Sequence, residues 1–182
     1  MPVEASLEQQ MLAAIPHLRA FAVSLTGDLD RADDLVQGAL LTGIDKIHTF
    51  QIGTNIQAWL FTILRNRFRT EYRKRKREVE DPDGVWAQLA AVAPSQESHL
   101  DFCDLQRALA ELPLNQREAL LLVSAEGMSY EEAAQICGTN IGTIKSRVNR
   151  ARSTLAKLLR VGREELGPDR SMKAAVPVHL SL

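Results

Sequence analysis

The sequence predicts an all-α protein built as two small helical domains joined by a flexible linker, and three observations carry that expectation. Apolar residues make up 45% of the 182-residue chain but aromatic residues only 5%, a balance that suits packed helices better than sheets. Apolar positions recur at helical spacing along most of the chain, whereas strand-like alternation is scarce. From residue 78 to 100 the periodicity dissolves into Pro82, Gly84, Pro94, Ser95 and several acids, the composition of a linker. These breaks give a first domain over 1–77, a linker over 78–100, a second domain over 101–161, and a tail over 162–182 expected to lack order.

Ser6 with Gln9 forms a capping-box signal, and Leu7, Met11, Leu12, Ile15, Leu18, Ala22 and Leu25 follow at helical spacing, so a first helix is expected to about Ser24. Pro16 lies inside that pattern. In a helix interior it costs about 3 kcal/mol, which predicts a kink or a restart at this point. Thr26-Gly27-Asp28 breaks the chain, and Asp28 or Asp30 can cap a second helix to about His48. Leu29, Ala32, Val36, Leu40 and Ile47 are its expected inward face, and Asp33, Asp34 and Gln37 its outer one. Acids near a helix start are also what the macrodipole favours, so alone they assign no site.

Phe50 to Asn55, F-Q-I-G-T-N, reads as a loop with Gly53 and a cap at Thr54 or Asn55. A third helix from Ile56 then places Trp59, Leu60, Ile63 and Leu64 inward and continues through Arg65, Asn66, Arg69 and Arg73. Cations fall on several sides of its second half, as on a helix lying against a polyanion or on a soluble Lys/Arg-rich helix end. Phe68 and Tyr72, at i and i+4, make base stacking possible, though packing is the commoner use of such a pair. Past the linker, with its short helix-like stretch at Val85 to Ala91, helical spacing resumes from Asp101 to Leu112. Pro113 stops it, and Asn115 to Glu126 forms another helix with Ala119, Leu120 and Val123 inward.

Met128 to Arg152 has the most informative pattern. Ser129, Glu131 and Glu132 open a helix, Cys137-Gly138-Thr139-Asn140 interrupts it with a residue able to take positive φ, and another helix follows from about Ile141. Two short helices joined by a glycine turn read as a helix-turn-helix. On the second helix Ile144, Val148, Ala151 and Leu155 fall on one stripe, which must be buried. Opposite lie Gly142, Thr143, Lys145, Ser146, Asn149 and Arg150, with Arg147 and Arg152 on the shoulders. No acid occurs from Ala133 to Gly162. Such a face suits DNA: Lys and Arg can pair with phosphate or guanine, Asn with adenine, Thr with phosphate or a thymine methyl, and the helix start can receive a phosphate.

Net charge is only −1, but it is strongly segregated. Residues 65–77 carry eight Lys or Arg against Glu71 alone, residues 145–163 carry seven against none, and residues 78–111 hold eight acids against Arg107. Two basic patches separated by an acidic stretch are the footprint of two nucleic-acid surfaces. Cys103 and Cys137 read as buried small hydrophobes, and with no CxxC and no clustered His no metal and no cofactor is expected. Walker, G-x-S-x-G and H-E-x-x-H patterns are missing, so the chain does not read as an enzyme. No apolar run reaches the roughly 18 residues of a membrane span and the amino terminus lacks a basic n-region, so no membrane association and a cytoplasmic location are expected.

A-D-D-L-V-Q at 32–37, N-I-Q-A-W-L-F-T-I-L-R-N-R-F at 55–68, L-P-L-N-Q-R-E-A-L-L-L at 112–122 and G-T-I-K-S-R-V-N-R-A-R at 142–152 closely resemble bacterial sigma factors of the extracytoplasmic-function (ECF) class. Within that class the wording is similar to EcfG-type factors of the general stress response. The resemblance implies a region 2-like and a region 4-like domain on core RNA polymerase. Asp33, Asp34, Leu35 and Gln37 would meet the β′ coiled coil, and the β flap is the other implied polymerase contact. Gly53, Thr54, Asn55, Gln57, Arg65, Asn66, Arg69 and Arg73 would recognise and melt the minus-ten promoter element. Thr143, Lys145, Ser146, Arg147, Asn149, Arg150 and Arg152 would bind the minus-35 element. Gly38 departs from the glutamate expected after Asp-Leu-Val-Gln. A NepR-like anti-sigma factor, released through a PhyR-like regulator, is the implied control.

Two rival readings make different demands. A conventional helix-turn-helix regulator would bind a palindromic site without polymerase and would leave the basic third helix unexplained. A sigma-like decoy for an anti-sigma factor of the PhyR kind would carry a receiver domain, for which the residues after Arg160 are too few.

Overall fold

The computed structural model describes residues 2–78 and 98–160, and among these no strand occurs. The chain forms two compact units, Met1–Pro82 and Asp83–Leu182. Most of the expected linker, including Val85 to Ala91, and the expected tail lie outside the described residues. No helix among the described residues is long and apolar enough to cross a membrane.

The first unit packs three helices against one another: α1 (Pro2–Thr26), α2 (Leu29–Asp45) and α3 (Ile56–Glu78). Its core holds Leu18, Phe21, Leu25, Leu35, Leu60, Phe61 and Leu64, with Phe21 and Phe61 meeting edge to face at 5.1 Å. α1 runs through Pro16 as one helix and does not restart there. Pro16 is exposed and Leu12 is 57% exposed, so water can reach the carbonyl that the missing N–H leaves without a helical partner.

Thr26 closes α1: its hydroxyl donates to Ala22 O and accepts from the Asp28 N–H, and Asp28 then caps α2 by accepting from the Arg31 N–H at 2.9 Å. α2 ends at Asp45, earlier than expected, and a 3-10 turn spans Ile47–Thr49. Its buried face is Ala32, Leu35, Val36, Ala39 and Gly43, whereas Leu29 is 41% exposed. Small side chains on this face let the neighbouring helices approach closely. A Cβ on Gly43 would lie 3.0 Å from Leu60 Cδ2. On the α2 surface the Arg67 guanidinium of α3 covers Gly38, where a Cβ would lie 2.3 Å from Arg67 Cζ.

In the second unit α7 (Ile141–Leu159) packs on α4 (Ser98–Ala110), α5 (Leu114–Leu120) and α6 (Tyr130–Cys137). Buried Arg117 clamps the α4–α5 junction, its Nη2 donating to Ala110 O at 2.7 Å and Leu112 O at 3.3 Å. α5 passes into a π-helical segment, Leu121–Ala125, where the Glu126 N–H reaches Leu121 O at 3.0 Å across five residues. That wider turn rotates the chain relative to an ordinary helix. Leu121, Leu122 and Ser124 are buried, while Val123, expected inward, is only half-buried. Ser124 faces α7, where Arg152 Nη2 donates to its Oγ at 3.0 Å.

Two stability effects are expected. Gly38→Ala should stabilise the first unit by up to about 1 kcal/mol, because helix propensity improves while only the far end of a half-exposed arginine must move. A lower melting temperature would mean that the Arg67 contact outweighs the propensity gain. Arg152→Ala should destabilise the second unit by about 1–3 kcal/mol, since it strands the Ser124 hydroxyl and removes the arginine stem. Hydrogen-exchange protection of α7 reads this, and unchanged protection would show that the Arg152–Ser124 contact carries no stability.

Candidate nucleic-acid interface and docking face

The turn between α6 and α7 is assembled from local hydrogen bonds. Ser129 Oγ accepts from the Glu132 N–H at 3.0 Å and the Glu132 carboxylate accepts from the Ser129 N–H at 2.9 Å, closing a capping box. Gly138 ends α6 in the left-handed region at φ 61° and ψ 44°, where a Cβ would cost about 1–2 kcal/mol. Asn140 then caps α7, its Oδ1 accepting from the Thr143 N–H at 2.7 Å. The cap therefore occupies one of the helix-start donors that a phosphate could otherwise use.

α7 buries Ile144, Val148, Ala151 and Leu155, the stripe expected from helical phase. Lys145, Ser146, Asn149 and Arg150 are exposed on the opposite side, with Thr143 and Arg147 half-buried at its margins. The Lys145 ammonium sits 5.7 Å from the centroid of the Tyr130 ring, a cation–π contact that holds it near the start of α6. Tyr130 was not among the expected site residues, because its neighbour across the turn is set only by the packing of α6 on α7. Arg152 departs from expectation. It is half-buried and bonded to Ser124, and its Nε is buried without a hydrogen-bond partner, so part of its side chain is engaged within the domain.

In the first unit Asp34 and Gln37 are exposed on α2. Asp33 is engaged by Arg19, whose Nε and Nη2 approach the two carboxylate oxygens at 2.6 and 2.9 Å. That hydrogen-bonded pair raises the Arg19 pKa from its ordinary value. Leu35, expected on the docking face, is instead 1% exposed and belongs to the core. Its place among Ala32, Val36 and Ala39 was a readable signal, since all four share one helical stripe.

The loop before α3 is held by its own polar groups. Thr54 Oγ1 donates to Gln51 O at 2.7 Å, and Asn55 Oδ1 accepts from the N–H groups of Gln57 at 3.0 Å and Ala58 at 3.2 Å. Gly53, at φ 92°, has open space where a Cβ would stand, and Ile52 beside it is 71% exposed. Gln57 is half-buried. Along α3, Asn66 and Arg73 are exposed and Arg69 half-buried, so these three share an accessible side. Arg65 does not join them. At 5% exposure it lies in the core beside Leu64 and Phe68, which removes it from the candidate DNA face. Phe68 is likewise buried, 6.0 Å from the Tyr72 ring, so it packs and is not available for base stacking. Arg31, at the start of α2, has its pKa lowered chiefly by burial and next by the charge of Arg75 on α3.

Residues 12–78 match the Sigma-70 region 2 family and residues 104–155 match the Sigma-70, region 4 family. The chain is 58% identical over 177 residues to the ECF RNA polymerase sigma factor EcfG of Rhodopseudomonas palustris, covering 97% of this chain and 98% of that one. It is 33% identical over 145 residues to the ECF sigma factor SigM of Bacillus subtilis, covering 78% and 88%. Among solved structures, the sigma factor RpoE in complex with the anti-sigma factor NepR from Bartonella quintana superposes with a TM-score of 0.77 at 51% identity, covering 86% of this chain and 98% of that one. By sequence along nearly its whole length, and by the order of its two domains, the chain belongs to the ECF family of RNA polymerase sigma factors.

Proposed function

We propose that this chain docks on core RNA polymerase and directs promoter-specific initiation in a general stress response, under control of a NepR-like anti-sigma factor. The observation that carries this reading is the outward face of α7, where Lys145, Ser146, Asn149 and Arg150 are exposed on a helix without acids. That face reads the minus-35 element in the major groove, Asn149 on an adenine edge and Lys145 and Arg150 on guanine or phosphate, with Thr143 and Arg147 at its margin. In the first unit, Gly53, Thr54, Asn55 and Gln57 with Asn66, Arg69 and Arg73 take the minus-ten element. Asp34 and Gln37 meet the β′ coiled coil, and the second unit meets the β flap.

Control by an anti-sigma factor is supported by the likeness to RpoE solved with NepR. Acting on polymerase and promoter calls for a cytoplasmic location. Each DNA surface is small, at the lower end of the roughly 1,000 Å² typical of specific sites. Holding both on one polymerase makes the second contact intramolecular, which converts two weak readings into one strong one.

Transcription by purified core polymerase on a promoter library tests the whole reading. A defined start site only in the presence of this chain is the expected result. Binding of DNA by the chain alone, at a palindromic site and with no effect on core, would favour a conventional regulator. Anti-sigma binding without any core binding would favour a decoy.

Two substitutions test the surfaces. Asn149→Ala should weaken holoenzyme binding by about 1–3 kcal/mol at particular minus-35 bases, and equal loss on every sequence would remove its base-reading role. Asp34→Lys should sharply weaken core binding while α2 stays folded, and is the cleaner probe because Asp33 is already paired with Arg19. Unchanged core affinity would move the docking site elsewhere.

A further inference from the structure

The α2 surface has a cation built into it that comes from α3. Asp34, Gln37, Gly38 and Leu41 follow one another at i, i+3, i+4 and i+7 along one side of α2. Asp34 and Gln37 are exposed and Leu41 is 68% exposed, so this side is uncovered by the rest of its unit. In the middle of the strip, at Gly38, there is no side chain. The Arg67 guanidinium fills that space: a Cβ on Gly38 would lie 2.3 Å from Cζ, 2.4 Å from Nε and 2.6 Å from Nη2. Arg67 remains 45% exposed, and its ion pair with Glu71, 3.4 Å from Nε, is a loose one.

We propose that Arg67, seated on Gly38, is a docking contact that receives a carboxylate from the polymerase helix that α2 meets. The proposal rests on the docking role assigned to α2 above. A guanidinium offers paired N–H groups that match the two oxygens of a carboxylate. Lying flat on a glycine, the side chain has little rotamer freedom left to lose on binding. Nucleic acid is the poorer match, because the first half of α2 carries Asp30, Asp33 and Asp34, with Asp28 as its cap, which repel phosphate. The strip thus presents an acid at Asp34, a cation one turn further on and an exposed Leu41 beyond it. Its complement is a helix with a basic residue, an acidic residue and an apolar residue in the same order.

This role accounts for a glycine in the interior of α2, where it costs helix stability. A side chain at position 38 would lift the guanidinium off the surface. A structural role for Gly38 and a docking role therefore predict opposite consequences for the same substitution.

The test measures the affinity of the full chain for purified core polymerase, without DNA, for wild type, Arg67→Ala, Arg67→Lys, Gly38→Ala and the Gly38→Ala/Arg67→Ala pair, with Asp34→Lys alongside. Arg67→Ala is expected to weaken core binding about tenfold, and Arg67→Lys, which keeps charge but not the planar fork, to recover little of it. Gly38→Ala should weaken binding at least about threefold although it folds as stably as wild type or better, and the pair should be no worse than Arg67→Ala alone. Wild-type affinity for both Arg67→Ala and Gly38→Ala overturns the proposal. If Asp34→Lys fails to bind in that case, the docking face stands and only Arg67 leaves it. If Asp34→Lys also binds normally, the docking reading of α2 falls as well. Loss confined to promoter binding by the assembled holoenzyme overturns the proposal too and makes Arg67 a nucleic-acid contact. Should Arg67→Ala fail to fold, Gly38→Ala alone decides, since it displaces the guanidinium without removing it.

Discussion

The burial of Ile144, Val148, Ala151 and Leu155 sets the rotation of α7, and the exposed basic face depends on that rotation. With the stripe held against α4, α5 and α6, the remaining sides of the helix have one orientation only. Lys145, Ser146, Asn149 and Arg150 face outward because nothing else can. The π-helical Leu121–Ala125 serves the same end from beneath, turning Leu121, Leu122 and Ser124 together toward the core. The positive φ of Gly138 and the caps at Ser129 and Asn140 then fix where each helix of the motif starts and stops.

The first unit solves a different problem, since a helix rich in charge must also be packed closely on two neighbours. α2 does so with Ala32, Ala39 and Gly43 beneath its contacts and Leu35 and Val36 as the larger wedges. Charges that fall near the packed face are matched locally: Arg19 takes Asp33, and buried Arg65 is engaged within its surroundings. An unpaired buried guanidinium would cost several kcal/mol, so a basic helix such as α3 can enter the core only where partners exist. The exposed Asp34 and Gln37, and the Arg67 head over Gly38, are what this packing leaves at the surface.

Membership of the ECF sigma family joins these two surfaces in one activity. The chain's charge is segregated by helix, with cations on α3 and α7 and acids on α2.

How much of this was legible follows from which features are local. The all-α class, the helix-turn-helix, the glycine at its turn, the buried stripe of α7 and the acidic side of α2 were all readable, because helical phase and capping chemistry involve residues within a few positions of each other. Three expected site residues are turned at least partly inward. Arg65 follows Phe61 and Leu64 and precedes Phe68, Arg152 follows Val148 and Ala151 and precedes Leu155, and Leu35 lies between Ala32 and Ala39. Arg65 and Arg152 sit at the edge of an apolar stripe, where phase alone leaves a residue free to turn either way, whereas Leu35 belongs to the stripe of α2 itself. What decides is the neighbouring element: Ser124 on the π segment for Arg152, and the packing of α1, α2 and α3 for Leu35 and Arg65. The sequence by itself determined the helices, their caps and the chemistry available on each face. Tertiary structure decided which cations became braces and which stayed at the surface, and it brought Arg67 onto Gly38, because only the register of α3 against α2 makes residues so far apart in sequence share one site.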